Sequence, residues 1–565
     1  MTLESSRNIR APLVLTLLAG LLILPGCGSD TDLTRLTKRE TSTSADNLNR
    51  AISIIDQLDG EMPQEAQSQL TYHLNRWIKE QPSDPGWNRD PLISRLPFGV
   101  DKHPDMSQLL FHPSDTYYLH ECSWLHDIAG WAALQPLQAH HDRFSEMLPT
   151  DLSDEDQQQL LVACKLFDWT VRHIQLLPLA TFPTTASADN PRERAMAAEM
   201  GLDGPGYTLS MHDVLSRGTG DAWQRGRAFI QLARQRQIEV VFLGLRGEKG
   251  RRSQPWLTAA VCGSRLYLFD NQLGLPVPGP GGQIATLADL RADPSLLEPL
   301  AVDGEPYRIS AAELENLVAL IDAGHCSLSQ RMRILEQHLT GENQMVLSTS
   351  PGRISRLMRN EFEISRSELL PADFENYSFK IAFFSKIQTD PIAAKAYRRD
   401  EFLWTSQNNQ LVEGRRLFFR GKFGTARLNQ SGQGEQNAKT LILGSRLPNA
   451  QIAAIATSGE NPDPEKVRNL QEMLSTSKNY ASYWLGLIHM EDGNYTAAIN
   501  WLENRALETG QRQPYDAGAR YNLARCYEAT GQHERARELL EQIDSPQAAG
   551  NKLLARQLAP AAADN

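Results

Sequence analysis

The sequence predicts an α+β chain of several domains: a helical N-terminal region, a central α+β domain and a C-terminal α-helical repeat stack. Three observations predict it. Residues 218–270 read in order as a glycine turn, an amphipathic helix, a buried strand and a β-hairpin. Residues 483–502 and 521–540 resemble each other. The 565 residues, 41% of them hydrophobic, suffice for about three or four domains with ordinary cores.

Before the first domain, Arg7 and Arg10 precede Ala11–Leu24, an uncharged, mostly apolar run of 14 residues. That run is too short to span a bilayer comfortably and has the length of a signal-peptide core. It ends in Leu24-Pro25-Gly26-Cys27, which resembles the lipobox of bacterial lipoproteins, with Pro25 as a departure from the usual pattern. The resemblance implies that residues 1–26 are removed and that Cys27 carries a thioether lipid. Membrane lipid, through Cys27, is then the first expected partner, because two or three acyl chains anchor far more stably than one. Residue 28 is Gly rather than Asp. By analogy with the sorting rule of enteric bacteria, the expected location is extracytoplasmic, on the periplasmic side, with the outer membrane favoured over the inner. Residues 27–45, which contain TKRETSTSA, read as a polar tether.

The chain carries 57 Lys+Arg against 68 Asp+Glu, a net charge of -11. It shows no dense basic patch, which argues against nucleic acid as a partner. Cys27 apart, the cysteines are Cys122, Cys164, Cys262, Cys326 and Cys526, scattered and without a CxxC pair. His120, Glu121, Cys122 and His126 do not follow a known ligand spacing, and HECSWLHDIAGWAAL reads as a helix packing Trp124, Leu125, Ile128 and Trp131. No metal and no cofactor is expected.

Residues 46–150 are expected to be helical, with Leu48, Ile52, Ile55 and Leu58 on one face. The central domain is placed at 151–300. It opens with a helix whose first turn holds Asp154, Glu155 and Asp156, where the helix dipole favours negative charge. Its apolar stripe is Leu160, Leu161, Cys164, Phe167, Val171 and Ile174, and Pro178 is expected to end it. Gly218 and Gly220 form the next turn and Asp221 can cap the following helix. Ala222, Gly226, Phe229, Ile230 and Ala233 make one stripe along that helix. Val240–Leu243 suits a buried strand, and LTAAV and RLYLF, separated by Cys262-Gly263-Ser264, read as a hairpin closed by Asp270. Residues 301–460 mix helices, among them ISAAELENLVALIDAG and SLSQRMRILEQHL, with an irregular stretch at 429–437.

The order helix, glycine turn, helix, strand, hairpin, Asp resembles the transglutaminase-like superfamily (papain-like α+β) over roughly residues 150–275. The resemblance implies a Cys at the start of the core helix, a His opening the next strand before an aromatic residue, and an Asp on the neighbouring strand. In such a triad a thiolate attacks an amide carbonyl, the imidazole shuttles the proton and the carboxylate orients the imidazole. Carried over residue by residue, the nucleophile's place falls on Ala222, the base's on Gln254 in Gln254-Pro255-Trp256, and the acid's on Asp270. Ala cannot attack and Gln cannot act as a base. Only Asp270 matches.

The C-terminal repeat is placed at 461–545, with a tail at 546–565. Its two copies are offset by 38 residues: Leu485-Gly486 matches Leu523-Ala524, Gly493 matches Gly531, and Ala498 matches Ala536. They resemble the tetratricopeptide pattern, in which small residues let paired helices approach closely. Gly486, Ala498, Ala524 and Ala536 are the packing positions. EKVRNLQEMLSTS before the copies and a helix after them are expected to complete the stack. Such a stack implies either a groove for a protein or peptide partner or a cap packed on its own chain. The overall expectation is a lipid-anchored envelope protein, catalytically degenerate, that binds or scaffolds other proteins. The alternative is an active thiol-dependent protease or transglutaminase with a shifted nucleophile.

Overall fold

The computed structural model describes residues 43–58, 64–83, 86–87, 90–92, 106–134, 144–177, 211–246, 253–304, 306–307, 309–370, 409–424, 437–458, 463–507 and 515–558. Cys27, the apolar run before it and most of the tether lie outside them. The fold is α+β, with a C-terminal helical repeat region.

Helices α1 (Ser44–Gln57), α2 (Gln64–Ile78) and α3 (Pro113–Leu134) come first. Ala51, Ile55 and Leu58 are buried, while Leu48 and Ile52 sit at the edge of the same face. They share a small core with Leu74, Trp77 and Phe111 and, from far along the chain, Met332 and Leu335.

Helix α4 (Asp154–His173) starts where Ser153 accepts from the Asp156 backbone N–H, and its expected stripe is buried throughout. It ends at His173, because Ile174 is already extended and leads into β1 (Gln175–Leu176). Pro178, expected to end the helix, lies outside the described residues. Next come α5 (Met211–Arg217), β2 (Thr219–Gly220), which pairs in parallel with β1, and α6 (Ala222–Gln235).

The sheet follows. Its strands are β3 (Val240–Leu245), β4 (Gln254–Cys262), β5 (Arg265–Asp270), β6 (Leu275–Pro276), β7 (Val318–Asp322) and β8 (Arg366–Leu370). Their order is β6-β5-β4-β3-β7-β8, antiparallel except for the β7–β8 pair. Two expectations are corrected here. Cys262 is not in the hairpin turn but is the last residue of β4, paired with Arg265; the turn is Gly263-Ser264, with Gly263 at φ +58. ISAAELENLVALIDAG is not one helix. A short helix covers Ala311–Glu315, and Val318–Asp322 is a strand inside the sheet. All five of those strand residues are buried, and a fully buried strand loses the alternation that would distinguish it from a helix. Strands β7 and β8 therefore extend the sheet of residues 240–276 well beyond residue 300.

Helices α7 (Leu287–Ala292), α8 (Ala311–Glu315), α9 (Gln330–His338) and α10 (Pro351–Phe362) follow in chain order, α9 packing into the small core of the N-terminal helices. Then α11 (Asn409–Phe419), α12 (Ala438–Gly444) and α13 (Asn449–Ala456) lead to the repeat. Its helices are α14 (Pro464–Glu491), α15 (Tyr495–Trp501), α16 (Asp516–Ala529), α17 (His533–Glu541) and α18 (Ala548–Gln557). The segment EKVRNLQEMLSTS is the first half of the 28-residue α14, and α18 supplies the helix expected after the copies. Gly493 and Gly531, at φ +71 and +74, make the equivalent turns of the two hairpins. Among the described residues, no helix is long and apolar enough to cross a membrane.

Candidate functional site

Helix α6 begins in a full capping box. Asp221 accepts from the backbone N–H groups of Trp223 and Gln224, and the Gln224 side chain accepts from the Asp221 N–H. Gly226 is required for this helix to lie on the sheet, since a Cβ there would be 2.3 Å from the Phe242 ring and 2.9 Å from the Asn271 amide. That contact directs the N-terminus of α6, with Ala222, toward the end of the sheet where β4 begins at Gln254 and β5 ends at Asp270. Ala222, the expected nucleophile position, is the first residue of the helix and 7% exposed.

The other two positions do not meet. Gln254 is exposed and pairs with Leu245, whereas Thr258 pairs with Phe269. Gln254 thus lies about 10 Å along the strand from the level of Asp270, at roughly 3.3 Å per residue. No hydrogen bond joins them. The carboxylate of Asp270 is engaged elsewhere. It accepts from the backbone N–H groups of Gln272 and Leu273, each at 2.8 Å, and from the Tyr307 hydroxyl at 2.5 Å. The Tyr307 oxygen in turn accepts from the Trp256 indole at 3.0 Å. Burial raises the Asp270 carboxyl against these hydrogen bonds. Burial also lifts Asp221 to about 6, against the two backbone N–H groups it caps. The sequence singles out Trp256 only as an aromatic marker and does not mention Tyr307, which sits 37 residues beyond Asp270 with no motif to announce it.

The remaining thiols are no better placed. All five described cysteines are buried. Burial pushes Cys262 and Cys526 up to about 12, and Cys122 and Cys164 rise as well. Cys326 has the nearest imidazole: its Sγ lies 3.3 Å from His325 Nε2. The same thiol donates to Asp115 at 3.3 Å, and Arg331 holds Asp115 through bonds of 2.6 and 2.8 Å. A carboxylate accepting the S–H stabilises the thiol rather than the thiolate, the reverse of what a nucleophile needs. His120, considered above for a metal site, packs edge-on against Trp124 at 4.9 Å, and burial lowers it to about 3.

The elements around Ala222 and Asp270 are closed over by the C-terminal helices. Arg225, one turn after Ala222, donates to the carbonyls of Ile174 and Asn271 and to Gln547 at 2.7 Å. Gln272 donates to the Pro546 carbonyl at 2.7 Å. A Cβ at Gly550 would lie 1.7 Å from the Leu273 carbonyl oxygen, so the backbone of α18 rests directly on the turn after Asp270.

The repeat is seated just as firmly on α4. Asn522 of α16 donates to the Arg172 carbonyl at 2.9 Å, and the Gly518 N–H donates to Gln175 at 2.8 Å. Asp168 binds Arg172 at 2.6 Å and Arg525 at 2.9 Å. Glu491 of α14 pairs with Arg172 and accepts from His173 Nε2 at 2.7 Å. Burial alone would raise Glu491, but Arg172 and His173 hold it at about 2. Burial lowers His173 to about 4, so it is neutral at pH 7. The first helices of the hairpins therefore face the chain's own α4. A Cβ at Gly486 would lie 2.6 Å from Leu502, and Ala498, Ala524 and Ala536 are fully buried.

A sequence family described as Tetratricopeptide repeat matches residues 467–556. No curated protein and no solved structure matches the chain.

Proposed function

We propose that the chain is a lipid-anchored scaffold of a bacterial envelope whose central domain is a transglutaminase-like fold without its chemistry. The repeat supports protein binding as the activity. One observation carries the non-catalytic reading: the single acidic residue that matches the family's triad, Asp270, is bonded to Tyr307 and two backbone N–H groups, and faces neither a thiol nor an imidazole.

Alkylation of the native protein with iodoacetamide tests it. The five buried thiols react slowly until the chain unfolds, and no amide hydrolysis or transamidation is measured. A native cysteine alkylated within minutes, whose substitution also abolishes a measured amidase activity, would falsify this reading.

The anchor has its own test. Cys27→Ser abolishes labelling by a fatty-acid analogue and releases the protein from membranes. Unchanged labelling and fractionation overturn the anchor without touching the scaffold.

A further inference from the structure

Trp501 closes α15 and is followed by a single π-helical turn over Leu502–Ala506. Such turns interrupt a helix at a cost in regularity and concentrate at functional positions. Trp501 is only partly buried, and two guanidinium groups stand over its ring: Arg446 at 5.3 Å and Arg505 at 5.5 Å. Arg446, in the link between α12 and α13, is held by its Nε donating to Ser482 at 2.8 Å. Lys478, one turn before Ser482 on α14, donates to Asn449 at 2.7 Å. Leu443, 52% exposed, precedes Arg446 by three residues.

These three cations have no carboxylate partner among the described residues. Partial burial and then Arg505 lower Arg446, while partial burial and then Arg446 lower Lys478, so each is close enough to feel a like charge. Other cations on the repeat do have carboxylate partners: Arg525 with Asp168, Arg535 with Glu503, Arg537 with Glu534 and Lys552 with Asp303. A concentration of positive charge around a partly buried aromatic ring, on a chain of net charge -11, lacks its counter-charge.

We propose that this face receives an acidic segment of a partner protein, its carboxylates lying across Arg446, Lys478 and Arg505 and an apolar side chain resting beside Trp501 and Leu443. The assignment rests on the protein-binding reading above and sharpens it, because the inner side of the repeat is already occupied by α4. Guanidinium groups match carboxylates in geometry, and Trp supplies apolar contact at little entropic cost. The net negative charge of the chain opposes an extended polyanion or an anionic bilayer, but not a short acidic stretch within a Debye length of the patch.

The test uses the full chain and a fluorescein-labelled peptide, Glu-Glu-Phe-Glu-Glu-Leu-Glu, with its all-glutamine counterpart, read by anisotropy. The acidic peptide binds, the glutamine peptide binds at least about tenfold more weakly, and raising the salt weakens the acidic peptide further. The triple variant Arg446→Gln, Lys478→Gln, Arg505→Gln loses about tenfold with its circular dichroism unchanged. Arg505→Gln alone, at an exposed side chain, loses about threefold and serves if the triple variant does not fold. Equal binding of both peptides, or no binding of either, overturns the proposal. So does preference for phosphatidylglycerol vesicles over the acidic peptide. Acidic-peptide binding that survives the substitutions removes this face while leaving protein binding intact. Amide turnover by the wild type would instead strike the scaffold reading, whatever the peptide does.

Discussion

Asp168→Ala destabilises the folded chain by about 3–5 kcal/mol, the cost of stranding buried charges without their partner. Asp168 is the carboxylate between Arg172 and Arg525, and all three side chains are no more than 3% exposed. Removing it leaves Arg172 with Glu491 and Arg525 with Glu528, one carboxylate fewer in a place that water does not reach. The loss falls on the seam between α4 and the repeat, so urea unfolding followed by circular dichroism shows a lower midpoint, and proteolysis releases the C-terminal helices first. A change below about 1 kcal/mol would mean that the seam is held by apolar packing alone. The same seam makes stability sensitive to acid. His173 titrates at about 4 against 6.5 when unfolded, and Glu491 at about 2 against 4.5. The unfolded chain therefore binds more protons across this range. The contribution is complete above about pH 6.5 and is lost as pH falls through the folded values. His173→Gln flattens the upper part of that window.

Gly550→Ala lowers stability by about 1–3 kcal/mol, and by more if α18 detaches. The added methyl would lie 1.7 Å from the Leu273 carbonyl oxygen, a backbone atom that has no other rotamer to adopt. Helix α18 must lift, taking Gln547 from Arg225 and Pro546 from Gln272. Limited proteolysis should then cut within 545–557, where the wild type is protected. Gly130→Ala is the control: it lies inside α3 with nothing within 4 Å of the new Cβ, and it is neutral or stabilising by about 0.5–1 kcal/mol. If Gly550→Ala behaves like Gly130→Ala, the contact between α18 and the central domain is not tight.

What could be read from the sequence was local. Helix α6 declared itself through Asp221, a stripe from Ala222 to Ala233, and a glycine turn on its N-terminal side. The hairpin declared itself through two apolar runs around Gly263. The repeat was legible because Gly486, Gly493 and Ala498 recur, as Gly or Ala, 38 positions later. The strand Val318–Asp322 was not legible, since five buried residues carry no period. Nor were the bonds of Asp270. Tyr307 reaches it from a separate segment, and nothing in the spacing of either residue marks the pairing. The seating of the repeat on α4 was equally hidden, because Asp168, Arg172 and His173 read as the polar side of an amphipathic helix until Glu491 and Arg525 arrive from more than 300 positions away.

The bond between Arg225 and Gln547 spans 322 positions. A chain made from its N-terminus has the six described strands of its sheet by residue 370, while the described cover of the turn after Asp270 comes only with residues 545–557. Contacts so remote in sequence form slowly, because the loop between them must close first. During synthesis the sheet therefore stands with that end open until α18, the last of the described helices, emerges and shuts it.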